Sequence, residues 1–231
     1  MKKILSTAVL LAVASSASAA VYSGNGNNGF GGPVGNGSLT ILDDGAGNLT
    51  VSNAPSVGGN VLVLYVDSIA GGVASTASLT DTVDGGRRAT SGASAFPNVP
   101  TTQTIATFPT GFAADRAIVI GSGFSVGFDI SNINSNFTFF STGATSTATF
   151  NASELGLVGT PGQSFKFVGT LISETAFRSN ESYGSIGVVA SNPGFNDPIT
   201  FQENLVYTFI PEPTTLGLVA AGATVLLRRR K

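Results

Sequence analysis

Between Leu79 and Gly92 the chain reads LTDTVDGGRRATSG, the most concentrated polar segment in a sequence otherwise poor in charge. Asp81, Asp84, Arg87 and Arg88 offer two carboxylates and two guanidinium forks close together, groups that hydrogen-bond sugar hydroxyls or anions when a loop presents them. The same four residues also make a structural ion-pair cluster around a turn at Asp84-Gly85-Gly86. Clustered Asp with backbone carbonyls suits calcium as a third reading, although EF-hand spacing is absent. The chain has no Cys and no His, which removes disulfides, thiolate nucleophiles, His general bases and the usual zinc, haem and iron–sulfur ligands. No cofactor other than calcium is in question. Catalysis is left with carboxylate and hydroxyl chemistry, and the sequence does not place any two acids at the separation a glycosidase pair requires.

Between residues 20 and 209 twelve Asp and Glu stand against five Lys and Arg. Such a surface does not track phosphates, so nucleic acid is disfavoured as a partner. Most of the acids sit beside Gly or Asn, where turn roles account for them. The chain lacks Trp, and Tyr22, Tyr65, Tyr183, Tyr207 and the 16 Phe read as core and strand residues rather than sugar platforms. Five Asn-X-Ser/Thr matches, at Asn36, Asn48, Asn136, Asn151 and Asn180, are the chance yield of an Asn-, Ser- and Thr-rich chain.

The elements that must position these groups are short. With 231 residues, 42% hydrophobic and 10% charged, charge-driven disorder is excluded, and 30 Gly without a Gly-X-Y period imply many turns. Ser38–Leu42 and Asn48–Ser52 flank an Asp-Gly pair and predict a hairpin. Asn60–Val66 is apolar on both parities and predicts a central strand covered on both faces. Phe124, Val126, Phe128 and Ile130 share one parity, the pattern of a half-buried strand, and Phe165/Phe167 and Leu205/Tyr207/Phe209 repeat it. Further strands are expected at Thr104–Phe108, Arg116–Ile120, Phe137–Ser141, Thr145–Phe150, Gly184–Ala190 and Ile199–Gln202. Only Ala152–Leu157 reads as helical, one turn capped by Asn151 or Ser153. Ser23–Ser38, with seven Gly and four Asn, reads as an irregular lead-in. Ten to twelve strands and no crossover helices give an all-β fold, an antiparallel two-sheet sandwich of jelly-roll type.

The two ends carry addresses. Met1-Lys2-Lys3, an apolar run from Ile4 to Val13, and small residues at Ala17 and Ala19 form a secretory signal peptide over residues 1–19, with cleavage one residue later as the neighbouring option. An uncleaved N-terminal anchor is the alternative, but the run is shorter than the roughly 20 residues needed to span. At the other end Pro211-Glu212-Pro213 precedes the uncharged segment Thr214–Leu227, followed by Arg228, Arg229, Arg230 and Lys231. Those 14 residues cover roughly 21 Å as a helix, a marginal transmembrane span, and the basic cluster stays on the cytoplasmic side. A tripeptide, short apolar helix and terminal Arg cluster in this order resemble the PEP-CTERM sorting signal of exported proteins in Gram-negative bacteria. The resemblance covers Ile210–Lys231, with Ile210 where many members carry Val.

The resemblance implies processing by an exosortase, which would recognise Pro211, Glu212 and Pro213, while the basic cluster retains the tail across the inner membrane. The chain then divides into a signal peptide (1–19), a β-sandwich domain (20–209) and a sorting signal (210–231). Its partners would be signal peptidase, the exosortase, the inner membrane transiently and exopolysaccharide. Its destination would be the outer surface or extracellular matrix. The leading expectation is a non-enzymatic structural or adhesive protein, with a carbohydrate-binding module and a carboxylate glycoside hydrolase as rivals.

Overall fold

The computed structural model describes residues 17–94, 102–131, 137–143, 146–189 and 192–210. Its strands in chain order are β1 (Ser18–Ser23), β2 (Ser38–Asp43), β3 (Asn48–Ala54), β4 (Val61–Asp67), β5 (Ala106–Thr107), β6 (Arg116–Ile120) and β7 (Ser125–Asp129). They continue with β8 (Thr138–Gly143), β9 (Thr147–Asn151), β10 (Ser164–Ile172), β11 (Arg178–Tyr183), β12 (Ile199–Thr200) and β13 (Leu205–Thr208). Among the described residues one α-helix, α1 (Gly85–Ser91), lies between β4 and β5, preceded by a 3₁₀ turn at Thr76–Ser78.

Two antiparallel sheets carry the fold, with order β1-β2-β3-β9 in one and β11-β10-β4-β6-β7-β8 in the other, where β13 extends the edge beside β10. The two-residue pair of β5 with β12 is parallel. Leu39, Ile41, Leu49, Val51 and Phe150 of the smaller sheet pack against Leu62, Leu64, Ile118, Phe167 and Tyr207 of the larger one, so the body is a β-sandwich-like layer pair around one core. A second core lies on the other face of the larger sheet, where Val61, Val63, Tyr65, Val119 and Phe128 meet Leu79, Ala89 of α1, Phe108, Phe112 and Ile199. Strand β4 therefore feeds both cores through its two parities, as its unbroken apolar run requires.

The hairpin is present with Ser38↔Ala54 to Asp43↔Leu49 in register. Asp44 closes it by accepting the amides of Ala46 and Asn48, and Gly45 and Gly47 take φ of 75° and 87°. The single turn near residue 152 is also present, as a 3₁₀ turn over Ala152–Leu155. Asn151 caps it, and Glu154 returns a hydrogen bond to the Asn151 amide.

Four expectations are corrected. β7 is buried on both faces, because Phe140 covers Gly127 so closely that a Cβ there would lie 2.3 Å from the ring. Gly184–Ala190 contributes no strand over its described residues, only an isolated bridge from Ile186 to Phe201, because Gly184 turns the chain with φ 86°. The polar segment Arg178–Tyr183, in which no strand was expected, forms β11. Asp84-Gly85-Gly86 opens a helix rather than a turn, so α1 is an element that helix propensity alone hides.

Candidate functional site

Asp84 adopts extended backbone at the N-terminus of α1, and its carboxylate accepts the Arg87 amide at 2.9 Å. Gly92 ends the helix in the left-handed region, where its amide reaches Ala89 O. This short helix turns Arg87 inward. Arg87 Nε lies 2.9 Å from Asp81 Oδ2, its Nη1 pairs with Asp84 Oδ2, and its Nη2 donates to Phe137 O at 3.0 Å. Asp81 accepts the Phe137 amide at 2.8 Å as well. The guanidinium sits 4.2 Å from the Phe139 ring centroid and 5.2 Å from that of Phe128. Arg88 reaches instead to Glu174 O at 3.0 Å and Thr82 O at 3.3 Å.

Three of the four charged residues singled out in the sequence thus come together, with Asp81 and Arg87 buried against each other and Asp84 half open to solvent, while Arg88 is directed to the backbone of Glu174 and Thr82. Their contacts pin α1 to the β7–β8 corner of the larger sheet. Beside the pinned helix is a concavity of about 370 Å³. It is lined by Asp84, Gly85 and Gly86 at the start of α1, by Phe124, Val126, Phe128 and Phe139 from the sheet, and by Glu174. Phe139 is 49% exposed, the only Phe among the exposed large hydrophobic residues of the described chain.

The two glycines are informative. Neither has a positive φ, so backbone conformation does not require Gly, and each costs about 1 kcal/mol against Ala within a helix. Sterics does not demand glycine either, since the nearest contacts are the movable tip of Glu174 and neighbours at ordinary van der Waals distance. A Cβ on Gly85 would lie 2.6 Å from Glu174 Oε2, and one on Gly86 would enter contact at 3.4 Å with Phe128, Val126 and Asp84. Both positions face the concavity, and any side chain longer than a methyl would project into it.

Two further carboxylates are fully buried, and sequence reasoning gave neither a role. Asp115 accepts the Ser68 amide and hydroxyl at 2.7 and 2.8 Å and the Ile69 amide at 3.1 Å. Burial pushes its carboxyl above the usual 3.8, while those bonds and Arg116 pull the other way. Glu181 accepts four backbone amides from the glycine-rich segment, Phe30, Gly32, Val34 and Gly35, at 2.5 to 3.2 Å. The one available signal was pairwise: a run dense in amides and an acid with no turn to serve. Arg178 is fully buried too, donating to Thr170 Oγ1 and Thr104 O at 3.1 Å, and desolvation lowers its pKa.

No family model, curated protein or solved structure matches this chain. Among the described residues, no three His, Cys, Asp or Glu side chains gather to hold a metal ion, and no helix is long and apolar enough to cross a membrane. Pro211, Glu212, Pro213, Arg228, Arg229, Arg230 and Lys231 lie outside the described residues, as does most of the leader. Ala17 precedes β1, and Ala19 lies within it opposite Leu42.

Proposed function

We propose that this protein is an exported, non-enzymatic component of the cell surface or extracellular matrix, sorted by an exosortase and structural or adhesive in role. Its body is a β-sandwich, jelly-roll-like in that the chain passes between the two sheets at β3→β4, β8→β9 and β9→β10. A leader over residues 1–19 is cleaved, and a short transmembrane helix between Pro213 and Arg228 holds the precursor in the inner membrane until the tail is removed. Exopolysaccharide is the matrix it meets, and the reading calls for no cofactor.

The observation that supports this reading is the order of three elements in the last 22 residues: tripeptide, uncharged segment, basic cluster. The geometry of the body is compatible with it. The Phe209 ring is buried in the core, and Ile210, the residue before Pro211 in the sequence, is half exposed. Ser18 pairs with Asp43, whose carboxylate receives the Tyr207 hydroxyl at 3.3 Å, so the segment entering β1 and the strand leading to the tail are neighbours. Removal of residues 1–19 would leave Ala20–Ser23 in register with Ser38–Ile41.

Intact-mass measurement on protein from the native envelope tests the proposal. The expected species lacks both residues 1–19 and the tail. A mass that retains Arg228–Lys231 overturns exosortase processing.

A further inference from the structure

We infer that the concavity between α1, β7 and β8 is a binding site for an uncharged hexopyranose unit of a polysaccharide, with Phe139 and Phe124 as its apolar platform and Asp84 and Glu174 as hydroxyl acceptors. The inference gives the adhesive role a ligand and rests on that reading only for the place where protein and sugar meet.

Four observations converge on it. The volume of about 370 Å³ falls in the range of small-ligand sites, about 300–1,000 Å³. Its lining combines rings with a few acceptors, the pairing that a sugar ring demands, since one face presents C–H groups and the edges present hydroxyls. Phe139 keeps half its surface in water although the second core lies beside it, 5.2 Å from the Phe128 ring. Gly85 and Gly86 add no side chain to the lining at positions whose backbone does not ask for glycine.

Charge selects the ligand class. The lining contains two carboxylates and no Lys or Arg. Of the neighbouring cations, Arg87 is committed to Asp81, Asp84 and Phe137 O, and Arg88 to Glu174 O and Thr82 O. A uronate or sulfated sugar would bring its anion against Glu174 and an Asp84 already paired with Arg87, with no cation in the lining to receive it, so the site favours neutral polymers over acidic ones. A neutral sugar donates hydroxyl hydrogens to both carboxylates and forms charge-assisted bonds at each.

Affinity electrophoresis of the full-length chain in a polyoxyethylene detergent, which carries no sugar headgroup, provides the test. Gels contain dextran, galactomannan, mixed-linkage β-glucan or polygalacturonate. At least one neutral polymer should retard the protein and polygalacturonate should not. Phe139→Ser should weaken retardation about tenfold, and Glu174→Gln should weaken it severalfold. Both positions are exposed, and circular dichroism checks each fold; should one variant misfold, the other decides. Retardation by none of the neutral polymers, by polygalacturonate alone, or equally for wild type and variants overturns the inference. Release of new reducing ends from a bound polymer overturns it in favour of hydrolysis. None of these outcomes touches the intact-mass result, so failure of the site and failure of the sorting reading are separable.

Discussion

The Glu181 carboxylate accepts the Val34 amide at 2.9 Å across 147 residues of sequence. Gly35 shares that oxygen at 3.0 Å, and Phe30 and Gly32 share the other. A segment whose composition specifies nothing locally is thus folded around one buried anion, the way backbone nests bind phosphate, with the protein's own side chain as the guest.

Glu181→Gln should therefore destabilise the body by about 2–6 kcal/mol. An amide can satisfy two of the four N–H donors but turns its own NH₂ toward the others, leaving each at a cost of about 1–3 kcal/mol. A lower urea midpoint with unchanged slope is the expected result. A midpoint within error of wild type would mean that the loop is held by other contacts.

Gly35→Ala should be costly and Gly59→Ala silent. A Cβ on Gly35 would lie 1.8 Å from Asn27 O, a backbone atom that cannot swing aside, whereas one on Gly59 meets nothing within 4 Å. Overpacking against backbone predicts a loss of about 1–3 kcal/mol for the first, and a change within about 0.5 kcal/mol for the second. Thermal unfolding of the two variants side by side checks the contrast.

Asp115 should make the body less stable as pH rises from about 3.8. Its folded pKa lies above the unfolded value, so within that window the native state binds the extra proton, and the contribution present below the unfolded pKa fades as pH climbs through the folded one. The stability difference between wild type and Asp115→Asn, measured from pH 3 to 7, should fall with pH. A flat difference would contradict the assignment.

At alkaline pH the four tyrosines report on the fold together. Burial raises Tyr22, Tyr65, Tyr183 and Tyr207 above 10. Unfolded phenols lose their protons first, so stability should decline above pH 10. Without Trp, absorbance at 295 nm sees tyrosinate alone. Its rise should coincide with loss of circular dichroism; a phenol titrating near 10 in the folded protein would argue against the burial.

Replacing Arg228, Arg229, Arg230 and Lys231 with Ser should alter sorting and leave the body's fold intact. Each Arg or Lys costs about 2.5–3.5 kcal/mol at the bilayer centre, so under the proposed topology four of them would stop a 14-residue span that by itself would hold its position only weakly. Fractionation should show reduced processing of the variant. Processing at the wild-type level would make the basic cluster incidental.

What the sequence disclosed was local. Asp44-Gly45 announces its hairpin, the double-parity run announces β4, and Asn151, one of two cap candidates beside Ser153, announces a cap, because the deciding contacts fall within a few residues. What it concealed was held from afar. β11 reads as polar loop because the groups that bury it, the amides of residues 30–35 for Glu181 and Thr104 O for Arg178, are 74 to 151 residues away. α1 was hidden by two glycines, and the concavity they help to shape joins residues from the start of α1, β7, β8 and the β10–β11 turn, which no local window contains. Phe139 was assigned to the core by type, and its exposure follows only from its place at the sheet rim.

The end of the body has a mechanical consequence. Any tension on residue 211 enters through Ile210 and is borne first by two bonds, Phe209 N to Gln163 O at 2.9 Å and Gly162 N to Phe209 O at 2.8 Å. Behind them stand the four paired residues of β13, laddered to β10 alone, and the ring contacts of Phe209 and Tyr207 with Phe165. A body held by its C-terminus in flowing liquid would therefore carry drag on its shortest antiparallel strand, and the first thing to yield would be the aromatic corner of its own core.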